Sequence, residues 1–177
     1  IIFHSDITQA VGKIKFDLTD VDAASFSAHK FFGFKGIGVL YKKENLIIEP
    51  LIAGGKSTTV FRSGTPPLEL IASTAKALRL SYENIDNDIV KVKKINETLK
   101  EALSKYPNVS INSNENSIPH ILNISVKGIK PETLLHSLET YEVYISTQSA
   151  CSTGVASKPV LALTNDEEKA KTSIRIS

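Results

Sequence analysis

At Pro66-Pro67 the apolar residues of this 177-residue chain change period. Downstream, Leu68, Ile71, Ala72, Ala75, Leu78 and Tyr82 recur at three- and four-residue steps, the spacing of a single helix face. Proline suits the first turn of a helix, where its missing N–H has no intrahelical role, so the pair predicts a helix start. A second helical run, Ile89, Val92, Ile95, Leu99, Leu103 and Tyr106, closes at Pro107-Asn108. Upstream there is no such period. Residues 1–4 read as a buried strand ending in the polar Ser5-Asp6. Ala23–Ser27, Ile37–Tyr41 and residues 46–52 are further strand candidates, punctuated by Gly36, Gly38 and the Gly54-Gly55 pair.

Beyond the helices the alternation of Leu122, Ile124 and Val126 predicts a half-buried strand. Pro131 opens a short helix with Leu134, Leu135 and Leu138 on one side. Val143 with Ile145 suggests one more strand, and Ile174 with Ile176 another. The division expected is strand-and-loop material over residues 1–84 and an α+β unit over residues 85–177. Without a methionine, and with ends that look like interrupted strands, the sequence is expected to be part of a longer chain.

Composition narrows the function classes. The net charge is +2, with 41% apolar and 23% charged residues, as in soluble globular proteins. Lys91, Lys93 and Lys94 are followed on the same helix by Glu97 and Glu101, a solvated face that argues against direct nucleic-acid binding. No apolar run approaches the ~20 residues of a membrane span. A single cysteine excludes an internal disulfide and favours a reducing, cytoplasmic setting.

Several stretches could carry chemistry. Lys30 follows a strand end and precedes three glycines, a place where burial or a nearby cation could free its amine for Schiff-base formation; a surface turn would look the same. Asp6 at another strand end could keep a pyridine nitrogen protonated, with Gln9 three residues on, although a helix cap uses the same residue type. Arg62-Ser63-Gly64-Thr65 offers a guanidinium and two hydroxyls before a helix start, as an anion cradle or as a capped turn would. Cys151 lies among small polar residues rather than in an apolar setting, which favours a reactive thiol over a buried one. Glu132, His136 and His120 lack the spacing of a metal site.

In order, the chain shows Asp6-Ile7-Thr8-Gln9, Ser27-Ala28-His29-Lys30, Arg62-Ser63-Gly64-Thr65 and Ser149-Ala150-Cys151. This ordered set resembles the class V aminotransferases and, within them, the cysteine desulfurases with the long mobile cysteine loop. The resemblance implies an α/β chain of the pyridoxal-phosphate-dependent transferase fold type I. Residues 1–84 would be the C-terminal part of the large, mostly parallel-sheet domain, and residues 85–177 a small α+β domain. The family's N-terminal half would be absent, so the chain alone should bind cofactor poorly and be inactive.

The resemblance also implies roles. Lys30 would carry pyridoxal phosphate, Asp6 would pair with the pyridinium nitrogen, and Gln9 would contact the phenolic oxygen. Ser27 and His29 would hold the phosphate, and Thr65 would reach the phosphate of a partner subunit in a homodimer. Arg175 would bind the carboxylate of L-cysteine. Cys151 would take the sulfur as a persulfide for an acceptor, such as an iron–sulfur scaffold or a tRNA-thiolation protein. Ala53-Gly54-Gly55-Lys56-Ser57-Thr58-Thr59 departs from the family's usual glycine-rich stretch, which bears on subgroup. Other class V reactions, transamination or selenocysteine lysis, are the nearest alternatives, although a plain transaminase needs no thiol. A silent dimerisation or sulfur-relay fragment is the alternative from a different class.

Overall fold

A computed structural model describes residues 1–55, 59–147 and 156–177. The chain divides into two compact units, Ile1–Asp88 and Ile89–Ser177, with the division inside one helix.

In the first unit, β1 (His4–Asp6), β2 (Ala23–Ser27) and β3 (Gly38–Lys42) form one sheet in that order. β1 and β2 are parallel, and β2 and β3 antiparallel. Parallel neighbours need a crossover. Here it is the turn-rich segment between Asp6 and Ala23, which drops Val11 into the core beside Ala28, Phe31 and Ala77. Gly12 follows at φ +72°, and a Cβ there would stand 2.9 Å from that of Phe31. Only glycine lets the crossover approach so closely. α1 (Leu68–Glu83) supplies Ala77 and Leu78 to this core, and its Ser81 hydroxyl donates to the Ala77 carbonyl at 2.9 Å.

The second unit holds an antiparallel sheet of β4 (Val109–Ile111), β5 (Leu122–Val126) and β6 (Ser173–Ile176), ordered β4-β5-β6. Leu122, Ile124, Val126 and Ile174 are its buried centre. Leu99 and Leu103 of α2 (Ile85–Leu103) and Leu134 of α3 (Pro131–Glu139) pack against them. Two short helices follow, α4 (Lys158–Thr164) and α5 (Glu167–Lys171), capped by the Ser157 and Asp166 side chains. Among the described residues no helix is long and apolar enough to cross a membrane.

The structure corrects several expectations from sequence. Residues 1–3 are exposed and the strand begins at His4, because only from there does the backbone run in register with β2. Residues 46–52 form no strand: Leu46 turns back on Lys43, and Pro50 lacks the N–H a ladder needs. Val143 and Ile145 likewise lie outside any strand, and the pairing there is a single bridge between Ser146 and Arg175.

Candidate active site

The first unit brings Asp6, Ser27 and the Lys30 turn to one end of its parallel strand pair. The parallel register sets His4 beside Ala23, Ser5 beside Ala24 and Asp6 beside Ser25, and the Ile7 amide continues the ladder to the Ser25 carbonyl at 2.9 Å. Both strands therefore end on the same side. Asp6 closes β1 there, and Ser27 closes β2 before a single 3₁₀ turn, Ala28–Lys30. The carboxyl ends of parallel strands are where open α/β sheets bind ligands, because the chain leaves the sheet there as loops and helix starts.

Each group at this edge is held by a local device. The Thr8 hydroxyl and then its amide, 2.9 Å from Oδ1, hold the exposed Asp6 carboxyl below its usual range, so it stays ionised. Ala28 and Phe31 are buried on either side of the exposed His29 and Lys30, which anchors the turn while leaving both side chains in solvent. Gly33 closes under the turn, its amide on the Ala28 carbonyl at 2.9 Å; a Cβ there would stand 2.7 Å from that of Ala28. Between Phe31, which Gly12 crowds, and Gly33, Phe32 takes φ 68°, a left-handed conformation that bulky residues seldom adopt.

Lys13, from the crossover, joins the two loops. Its Nζ donates to Gln9 Oε1 at 3.1 Å and to the Lys30 carbonyl at 3.5 Å. Partial burial, and then the charge on Lys30, push its own pKa down. Sequence reasoning passed over Lys13; its place four residues after Gln9 was the available signal. Thr65 is exposed in the loop before α1, and among the described residues no hydrogen bond ties it to Asp6 or to the Lys30 turn. Beside it, Arg62 and Gly64 line a hollow with Gly36 and Gly38.

In the second unit Arg175 opens on a hollow of about 470 Å³. Its backbone amide donates to the Ser146 carbonyl at 2.7 Å, the Ser146 amide donates back at 3.0 Å, and Nη2 donates to Ser146 Oγ at 3.3 Å. Its Nε is buried with no partner among the described residues. Asn112 and Asn123 line the same hollow and were missed in the sequence. Asparagine is depleted in strands, so Asn123 between Leu122 and Ile124 was a legible anomaly. Cys151 lies outside the described residues. His136 pairs with Glu139, Nδ1 to Oε2 at 3.0 Å, one turn along α3.

Comparison with known proteins gives a consistent picture. The family model described as aminotransferase class-V matches residues 1–177. The chain is 39% identical to a NifS/IcsS protein homolog of Lactobacillus delbrueckii subsp. bulgaricus, over 99% of this chain and 47% of that protein. It is 37% identical to cysteine desulfurase IscS of Serratia proteamaculans, over 100% of this chain and 45% of that protein. Among solved structures, a NifS-like protein from Rickettsia africae superposes with TM-score 0.84 at 33% identity, covering 99% of this chain and 48% of that one. The chain thus spans about half the length of the curated relatives it matches.

Proposed function

Because the chain belongs to the aminotransferase class-V family, we propose that the full-length protein is a cysteine desulfurase that removes sulfur from L-cysteine, leaves L-alanine and holds the sulfur on Cys151. The observation that carries this is the parallel register of β1 and β2, which brings Asp6 and the Lys30 turn to one carboxyl edge. The likeness to proteins named as cysteine desulfurases, along the whole chain, supports the same reaction.

The edge fits pyridoxal phosphate on the chemistry of its donors. A carboxylate kept ionised by Thr8 suits a pyridinium nitrogen, and the exposed Lys30 offers a primary amine one strand away. Ser27 and His29, bracketing Ala28, offer a hydroxyl and a ring N–H to a phosphate, and Gln9 an amide to the phenolic oxygen. When bound, the cofactor withdraws electrons from the substrate carbons, which weakens the Cα–H bond.

The protein's own groups do the rest. Lys30 Nζ would hold the cofactor, and as a free amine beside the substrate it would carry the α-proton. Arg175 takes the substrate carboxylate, a task suited to a planar guanidinium fork. The Cys151 thiolate attacks the substrate sulfur, so an S–S bond forms as the C–S bond breaks. That electron pair stays with the carbon fragment, which takes up a proton and leaves as alanine. The persulfide then passes to a protein acceptor, an iron–sulfur scaffold or a tRNA-thiolation protein. A homodimer, with Thr65 serving the partner's phosphate, and a cytoplasmic location complete the proposal; a reducing compartment keeps a lone thiol available.

Mass spectrometry of the full-length protein after brief exposure to L-cysteine tests it. One added sulfur atom on the peptide containing Cys151, lost on reduction, is the expected result. An unmodified peptide from cofactor-loaded protein would reject the assignment.

A further inference from the structure

The geometry points to a second donor at the carboxylate site, and we propose that the side-chain amide of Asn123 binds the substrate carboxylate together with Arg175, oriented by Asn112 and Ser125. This rests on the reading that Arg175 receives that carboxylate.

Asn123 and Arg175 are register partners in the antiparallel β5–β6 ladder. The backbone N–H and C=O of Arg175 both bond to Ser146. Those of Asn123 bond away from β6, the amide to Ser113 Oγ at 2.9 Å and the carbonyl accepting from the Asn112 and Ser113 amides at 2.9 and 3.3 Å. The pair is therefore of the non-hydrogen-bonded kind, which brings side chains on one face closest, with Cβ atoms about 4.5–5.5 Å apart. Both residues line the one hollow.

The orientation of the Asn123 amide follows from a relay. Ser125, 3% exposed, has one hydroxyl proton and gives it to the Lys169 carbonyl at 2.8 Å. Its oxygen can then only accept, and it accepts from Asn112 Nδ2 at 2.7 Å. Turning the Asn112 amide over would set its oxygen against that lone pair; in the orientation that avoids this, Asn112 Oδ1 is left buried with no partner among the described residues. The same Asn112 nitrogen donates to Asn123 Oδ1 at 2.8 Å. Asn123 must therefore present its oxygen to Asn112 and turn Nδ2 the other way. Among the described residues nothing accepts from that NH₂ group, and nothing accepts from Arg175 Nε.

The hollow is thus supplied with amide and guanidinium donors beside each other. Among its described lining residues Arg175 carries the only charge, and Ile118, Ile121, Val160 and Leu163 make much of the wall apolar. A low-polarity wall strengthens the pull on an anion. A carboxylate has about four acceptor sites, more than one guanidinium fills.

The test uses the full-length, cofactor-loaded protein. Kinetics with L-cysteine are combined with calorimetric affinities for L-alanine and for ethylamine, the same molecule without its carboxylate. Asn123→Asp keeps the acceptor that Asn112 needs and removes the donors; Asn123→Ala removes both. Each is expected to raise KM about tenfold or more with kcat little changed, the pattern of lost uniform binding. L-alanine affinity should fall in parallel while ethylamine affinity holds, and Ser125→Ala should give a smaller shift in the same direction.

If Arg175→Ala abolishes the preference for L-alanine over ethylamine but both Asn123 variants keep it, the proposal is overturned and the Arg175 reading stands. If Arg175→Ala itself keeps the preference, that reading fails and this inference falls with it. Thermal midpoints and cofactor absorbance matching wild type show that each comparison is between folded proteins.

Discussion

Lys13 Nζ lies 3.1 Å from Gln9 Oε1 and 3.5 Å from the carbonyl oxygen of Lys30, so one amine ties the loop after β1 to the turn after β2. Burial is the larger cause of its lowered pKa and the charge on Lys30 the smaller. Lys30→Met should therefore move the Lys13 titration upward without restoring its ordinary value of 10.5. Side-chain ¹⁵N NMR titration checks this; an unchanged Lys13 would mean the two charges do not sense each other. Because the folded chain holds this proton less tightly than the unfolded one, protonated Lys13 disfavours the fold. That penalty is relieved as pH rises from the lowered value towards 10.5.

Asp6 titrates in the opposite sense. Its folded value lies below the usual 3.8, through the Thr8 hydroxyl first and the Thr8 amide second. Its contribution to stability is present above 3.8 and is lost as pH falls through the lower folded value. Thr8→Val removes the hydroxyl and keeps the amide, so the carboxyl should titrate higher but still below 3.8. Carboxyl ¹³C NMR reads the shift. No movement would remove the hydroxyl from the account.

Gly12 is the narrowest point of the first unit. It sits at φ +72°, and a Cβ added there would stand 2.9 Å from Phe31 Cβ and 3.1 Å from Ser81 Cβ. Gly12→Ala therefore meets both backbone strain and two crowded neighbours. The left-handed conformation alone costs a residue with a side chain about 1–3 kcal/mol. Denaturant unfolding of the variant should show at least that loss. Because Phe31 follows Lys30 directly, cofactor retention should fall with it; a neutral result would show the crossover can move off Phe31.

Local signals were legible in the sequence. The proline pair marks the start of α1, whose periodic residues reach Leu78 in the core, and the alternation of Leu122, Ile124 and Val126 marks β5. Pairing was less so. Residues 46–52 are as apolar as a strand, but a strand needs a neighbour as well as a pattern, and Pro50 cannot donate to one. α4 and α5 span seven and five residues, too short to establish a period. At the site, Lys30 and Asp6 drew notice through the ordered motifs they belong to, and Arg175 through the family resemblance alone. Asn112 and Ser125 did not, because they act through bonds to residues 13 and 44 positions away that only the folded chain brings near, and Lys13 offered only its four-residue spacing from Gln9.

In the proposed reaction sulfur leaves L-cysteine through the Cys151 thiol while Lys30 holds the cofactor. The most direct measurement is alanine release from L-cysteine by the full-length protein, wild type against Cys151→Ala, with bound cofactor quantified by absorbance in both. Alanine should form with the wild type and be lost in a variant that retains its cofactor. Alanine release undiminished in Cys151→Ala, or none from cofactor-loaded wild type, would contradict the proposed reaction.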